Sequence, residues 1–363
     1  MIAVIADDIT GAAEMAGIAH RFGLRVMLTT SYITGADTDV MVIATDTRSM
    51  TADEAVTETR RVAGLLASDP SVSRIFKKTD SALRGHVVDE LEALINAIPH
   101  YDEALYIPAN PSKGRVIRDG IYYIGPTPLH ETDFSFDPEF PAVTSRLDER
   151  FPGHLERGVR FADATDTSDI DAALSSAPDT TLPAGAADLF TSFLRLNFPE
   201  AGQTDGALPD INMNDLLIVC GSTQSKAIDC GAVTSYMPVE VYDGLASGEE
   251  WAEAISPLYA RTHSLILAMN HRHRTGHEAA VYLRSAMASA VASLMETHRP
   301  AELIIEGGAT AFAILSSLGW NSFTITDQIA PGVIRMATSD GTHITMKPGS
   351  YPWGNLFPAA SGA

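Results

Sequence analysis

Short apolar, β-rich runs alternate with longer helical stretches along this chain of 363 residues. Ile2–Ala6, 25–29, 40–45, Arg74–Lys78 and 104–107 read as buried strands, and 11–22, 51–67 and 85–97 read as the helices between them. Strand, helix, strand at this spacing requires crossover connections and hence a largely parallel sheet. The rhythm breaks at 108–153, where seven prolines and four glycines point to a long irregular connection. It returns at 159–161, 168–174 and 186–196, then breaks again at 197–214, which is rich in Pro, Gly, Asp and Asn. That second break is read as the domain boundary, giving domains 1–208 and 209–363. Beyond it the strands expected are Leu216–Cys220, 239–242, Ser264–Ala268, 303–305, 323–326, Val333–Ala337 and His343–Lys347. The helices are expected after Ser222, over 248–261, over His277–Thr297 and after Gly307. The fold class that follows is α/β: two α/β domains with largely parallel sheets and an interdomain cleft.

Charge narrows the function. Lys and Arg number 25 against 46 Asp and Glu, a net charge of −21, which argues against broad binding to nucleic acid or to an anionic membrane. A small anion held by a few local cations and backbone amides stays compatible with it. Two cysteines, Cys220 and Cys230, are too few for a disulfide framework or a thiolate zinc site. The run from His271 to His277 interleaves histidines with Arg272 and Arg274, which disfavours a metal, so no metal-binding residue is assigned. The first residues turn acidic at Asp7 and the longest apolar runs are only strand-length, so a cytoplasmic protein without a membrane span is expected. The oligomeric state stays open, a homo-oligomer included.

In open α/β sheets ligands sit beyond the carboxyl ends of strands, so the residues that follow each strand carry the functional signal. After the first strand come Asp7-Asp8-Ile9-Thr10-Gly11. A helix cap needs one acid, and here there are two. After the third comes Asp46-Thr47-Arg48-Ser49, and the fourth runs through Lys77 and Lys78 into Thr79-Asp80-Ser81-Ala82-Leu83-Arg84-Gly85, an anion site with a carboxylate beside it. The chain has five lysines in all, and each lies at a strand end or beside a glycine loop. In the second half, Gly221-Ser222-Thr223 and Glu306-Gly307-Gly308-Ala309-Thr310 each follow a strand and open a helix, where free amides and the helix dipole hold phosphate. Neither is a Walker A loop or a dinucleotide fingerprint.

Taken in order, IADDITGAAEMA, TDTRS, KKTDSALRG, PANPSKGR, HETDFSFDP, FADATD, GST, EGGATA and MKPGSYPWG resemble the motifs of the four-carbon acid sugar kinase family. The resemblance implies an N-terminal domain that binds the sugar acid and a C-terminal domain that binds ATP. It maps the acid-sugar motifs onto Ala6 to Gly11 and Lys78 to Gly85, with Ala82 where a threonine is usual. The ATP motifs map onto Ser222, onto Gly307, Gly308, Ala309 and Thr310, and onto Gly349, with Ala309 where an acid is commoner and Pro348-Gly349-Ser350 as a variant of the last element. The implied reaction passes the γ-phosphoryl of ATP, carried with Mg²⁺, to a hydroxyl of threonate, erythronate or a 3-oxo-tetronate. Arg48, Lys78 or Arg84 is then expected on the substrate carboxylate, with Asp7 and Ser81 in the same binding set. Asp8 or Asp80 is expected to accept the hydroxyl proton or help hold Mg²⁺, Asp8 being the preferred choice. The rival readings are a non-catalytic sensor of a sugar acid or nucleotide, and a dehydrogenase or isomerase of the same metabolites.

Overall fold

The computed structural model describes residues 1–137, 139–202, 209–221, 228, 230–270, 273–274, 276–349 and 351–357. It separates into two compact units, Met1–Thr204 and Asp205–Ala363.

The first unit contains β1 (Ile2–Ala6), α1 (Ile9–Arg21), β2 (Val26–Thr29), β3 (Val40–Ala44), α2 (Ala52–Ala67), β4 (Arg74–Lys78), α3 (Val87–Ala97) and β5 (Glu103–Ile107). Then come β6 (Arg115–Arg118), β7 (Ile121–Ile124), β8 (Thr127–Pro128), α4 (Leu147–Arg150), β9 (Val159–Phe161), α5 (Thr167–Ser176), β10 (Thr181–Gly185) and α6 (Ala187–Asn197). Its main sheet runs β2-β3-β1-β4-β10-β5-β9, every pair parallel. All five residues of β1 and of β3 are buried, as strands covered on both faces must be. Thr51 and Glu54 form a capping box that starts α2 where the apolar pattern begins.

The stretch 108–153 corrects the expected irregular connection. It folds back as a three-stranded antiparallel sheet, β6-β7-β8, whose short strands hide among prolines and glycines. The strand β10 carries no sequence signal either, because Pro183 and Gly185 interrupt it. Pro183 is accommodated because β10 pairs with β5 along its length but meets β4 only at Ala184 and Gly185.

The second unit contains β11 (Leu216–Cys220), β12 (Val233–Tyr236), α7 (Val239–Tyr242), α8 (Gly248–Thr262), β13 (Ser264–Ala268) and α9 (His277–Thr297). It ends with β14 (Glu302–Glu306), α10 (Gly308–Ser317), β15 (Ser322–Ala330), β16 (Val333–Ala337) and β17 (His343–Lys347). The strand order is β12-β13-β11-β14-β17-β16-β15, parallel through β17 and antiparallel for the last two pairs. Residues 239–242, read as a strand from their β-branched pattern, form a helical turn instead. Pro238 presets the entry to that turn, and Val241 and Tyr242 are buried by it, while the strand lies just upstream at β12.

Candidate functional site

The first unit has its switch point at β1. The chain leaves β1 toward β2 and β3 on one side and later resumes at β4 on the other, so the loops after β1 and β4 part and leave a crevice between them. Three adjacent strands thereby deliver Arg48 (after β3), Asp7 and Asp8 (after β1) and Thr79 to Arg84 (after β4) to one place.

The geometry separates the two adjacent acids. Asp8 is the N-cap of α1: its Oδ1 accepts the Gly11 amide at 3.0 Å, and its Oδ2 accepts the Thr10 hydroxyl. A Cβ on Gly11 would lie 2.6 Å from that Oδ1 and 3.0 Å from Lys78 Nζ, so the cap closes only over a glycine. Asp7 is 2% exposed and receives Arg48 Nε on Oδ2 at 2.9 Å, while its buried Oδ1 has no hydrogen-bond partner among the described residues. Burial lifts the Asp7 carboxyl above the usual range, opposed by Arg48. The Asp8 carboxyl is held below it: burial opposes this, but Arg48, Lys78 and the Thr10 hydroxyl prevail. The preference for Asp8 as the reactive acid is therefore not supported by its position. The cap occupies Asp8, and the unpartnered carboxylate oxygen belongs to Asp7.

The expected cations are placed as follows. Arg48 bridges Asp7 and Asp8, both at 2.9 Å, and reaches Asp80 at 3.6 Å. Arg84 forks onto Asp80 through Nε at 3.0 Å and Nη2 at 2.9 Å, with Asp137 at 3.4 Å. Asp80 also accepts the amides of Ala82 and Arg84, so it braces its own loop, and Arg48 and Arg84 hold it well below the carboxylate range against burial. Lys78 Nζ donates to the Thr79 carbonyl at 2.8 Å and lies 3.9 Å from Glu14. Lys77, read with Lys78 as part of an anion site, instead points into the core. Strand alternation puts it against Glu90 of α3 at 2.6 Å, both fully buried, with Thr47 also donating to that carboxylate. Ser81 Oγ accepts Arg115 Nη1, and the Ser81 carbonyl accepts the Tyr122 hydroxyl. Two residues the motif reading passed over thus belong to the neighbourhood. Glu90 had no sequence signal beyond an acid mid-helix, and Arg115 had only its place in the PSKGR run.

In the second unit the same topology recurs: β11 leads to β12 on one side, and β14 flanks β11 on the other. The turns after β11, β14 and β17 converge. The Gly221 amide donates to Glu306 O at 3.1 Å, and the Gly307 amide to Lys347 O at 3.0 Å. A Cβ on Gly221 would overlap the Thr310 side chain. Gly308, Ala309 and Thr310 form the first turn of α10, whose free amides suit a phosphate. Lys347 Nζ pairs with Glu306 at 2.6 Å and reaches the carbonyls of Pro348 and Gly349, which brings Gly349 to the same corner. Burial, with Glu306 nearby, pushes the Cys220 thiol up to about 12, so it is a packing group and not a nucleophile. Ser222 lies outside the described residues, as do His271 and Arg272 of the histidine run, in which His273 faces Asp243 at 2.7 Å.

Among the described residues no group of three or more His, Cys, Asp or Glu side chains could hold a metal ion, and none of the helices is long and apolar enough to cross a membrane. Asp7, Asp8 and Asp80 lie together, but arginines face them, so they do not form a preset cation cage.

Comparison with known proteins adds to this geometry. A family model described as a sugar-binding N-terminal domain matches residues 2–187, and one described as a nucleotide-binding C-terminal domain matches residues 250–351. The chain is similar to a D-threonate kinase of Bordetella bronchiseptica, 26% identical over 92% of this chain and 88% of that protein. It is also similar to a 3-oxo-tetronate kinase of Methylobacterium radiotolerans, 24% identical over 98% and 97% of the two chains. Among solved structures, the Haemophilus influenzae protein HI1011 superposes with a TM-score of 0.74 at 20% identity, covering 98% of both chains, which shows a shared fold.

Proposed function

The chain belongs to the four-carbon acid sugar kinase family, and from that premise we propose that it transfers the γ-phosphoryl group of ATP to a hydroxyl of a four-carbon sugar acid of the threonate, erythronate or 3-oxo-tetronate type. One observation carries the reading at the level of chemistry. At the switch point of the sugar-binding domain, a buried carboxylate oxygen, Asp7 Oδ1, stands without a partner among the described residues, while the carboxylates of Asp8 and Asp80 are engaged.

Phosphoryl transfer asks the protein mainly to position two substrates and to manage charge. The acceptor hydroxyl gives its proton to Asp7 Oδ1 as its oxygen bonds to the γ-phosphorus. The bond from that phosphorus to the β,γ-bridging oxygen breaks, and ADP leaves with the electron pair. A carboxylate raised above its ordinary range is a better base than a free aspartate. Asp8, Arg48 and Asp80 hold it in place: Asp8 caps α1, Arg48 clamps Asp7 and Asp8, and Asp80 faces Arg48 at 3.6 Å from the other side. In the second unit, the free amides of Gly308, Ala309 and Thr310, with the Gly307 turn, Ser222 and Gly349, form the phosphate cradle of this reading. Mg²⁺ belongs to the substrate, carried on the phosphates of ATP.

Incubation with Mg-ATP and a panel of four-carbon acids tests the proposal, with ADP release and ³¹P NMR of the product as readouts. ADP formation that depends on one of these acids, with a phosphate ester formed on a hydroxyl, is expected. Absence of turnover on every acid of the panel, or equal turnover without any acid, would overturn it.

A further inference from the structure

A sugar acid differs from a neutral sugar by its carboxylate, and the protein must meet that charge with a cation not already matched. We propose that Arg115, at the start of β6, is the residue that selects an acid over a neutral four-carbon polyol, gripping the carboxylate beside Ser81 and Phe134. This inference rests on the reading of the first unit as a sugar-acid site.

The argument begins with what the other cations face. Arg48 is taken by Asp7, Asp8 and Asp80, and Arg84 by Asp80 and Asp137. Lys78 lies within reach of Glu14, and Lys113 is paired with the same glutamate. Arg115 alone in this group has no carboxylate partner among the described residues. Its Nη1 donates to Ser81 Oγ, one residue beyond Asp80. A guanidinium offers five N–H donors in a fixed fork, so a single hydroxyl partner leaves donors for a bidentate carboxylate.

The surroundings fit that role. The Arg115 guanidinium lies 5.7 Å from the centre of the Phe134 ring, and Arg84 lies 5.7 Å from the same ring. Two cations thus pack against one aromatic ring, and of the two only Arg84 has a carboxylate partner among the described residues. An incoming carboxylate would relieve the unmatched charge, and the ring limits water around the pair. The backbone of Arg115 is also fixed. It exchanges hydrogen bonds with buried Asn110, 2.7 Å from Asn110 N to Arg115 O and 3.1 Å from Arg115 N to Asn110 O. Asn110 in turn accepts the Asp188 amide at 3.0 Å. Tyr122 of β7 ties the small antiparallel sheet to the Ser81 carbonyl. The insertion that interrupts the α/β rhythm therefore has a purpose: it carries Arg115 to the loop that follows β4.

The test uses the whole protein, with Arg115→Met, Arg115→Lys and Ser81→Ala variants checked for folding by thermal melting. Steady-state kinetics with the four-carbon acids should show the KM for the acid rising about tenfold or more in Arg115→Met, the scale of a lost charged hydrogen bond, with the KM for ATP unchanged. Arg115→Lys should restore only part of the loss, because it keeps the charge and lacks the fork. The preference for the acid over erythritol and threitol should shrink in Arg115→Met, which a merely structural role would not produce. Calorimetric titration of the acid without ATP gives a second readout that is independent of turnover. If the wild type binds the acid but never phosphorylates it, and Arg115→Met abolishes binding, the kinase reading falls and this inference stands. If the wild type turns over and folded Arg115→Met keeps its KM and its preference for the acid, Arg115 is only a brace for Ser81 and the inference is wrong. Failure of the wild type to bind any of these acids overturns both.

Discussion

Two neighbouring aspartates illustrate how environment divides one residue type into two roles. Asp7→Asn removes the one carboxylate oxygen of the cluster that has no partner among the described residues, so turnover should fall about a hundredfold or more, the scale of general-base loss. Because the folded pKa of Asp7 is raised, its protonated form favours folding at low pH, and that contribution is lost as pH rises through the folded value. Asp7→Asn should therefore melt no lower than the wild type at neutral pH, and calorimetric melts alongside kcat would check both halves. Asp80 has the opposite sign. Its folded pKa is depressed, so its contribution is complete above the ordinary aspartate range and fades as pH falls through the folded value. Asp80→Asn should cost about 3–5 kcal/mol at pH 7 by leaving Arg84 and Arg48 short of a partner, and should flatten the loss of stability below about pH 4 in denaturant titrations. The motif made both acids visible, but only hydrogen bonding across β1, β3 and α1 tells the cap from the free oxygen. Sequence adjacency gives side chains opposite directions without saying which way is inward.

At the scale of elements, the buried Lys77–Glu90 pair joins β4 to α3 directly beneath the site. Lys77→Met alone should destabilise the protein by about 3–5 kcal/mol, because Glu90 is left charged and buried. The double variant Lys77→Met/Glu90→Leu should recover most of that loss in chemical denaturation. A single variant as stable as the wild type would show that Thr47 and Thr59 alone satisfy Glu90. In the second unit, Gly221→Val would push against Thr310 at the start of α10. The expected outcome is a several-fold higher KM for ATP with the KM for the sugar acid unchanged, since the disturbed amides are those proposed for phosphate. Strands such as β1, β11 and β14 were legible because buried parallel strands need continuous apolar runs. By contrast, β10 and the small antiparallel sheet were not, because their pairing is set by partners distant in the chain.

For the whole molecule, the prediction concerns division of labour between the two units. Hydrogen exchange on the intact chain should show the sugar acid slowing exchange at the start of α1 and in the loop after β4. ATP should slow it in the turns after β11 and β14. Protection by both ligands confined to one unit would contradict the assignment. Much of this protein could be read from its residues in order. Apolar runs spaced by helical stretches required α/β units, the acidic balance argued against broad polyanion binding, and strand-end motifs marked where ligands are expected. Those features are local, and burial of continuous apolar surface is the same wherever the strand ends up in the sheet. Which strands became neighbours was decided only by tertiary structure. The order β3-β1-β4 brought Arg48, Asp7 and Asp80 into one charge network, and it gave Arg48 and Arg84 to the protein's own carboxylates while Arg115 arrived on an inserted sheet. The reason is physical: a cation's role depends on which carboxylate it can reach, and that distance is set by the fold and not by the spacing along the chain.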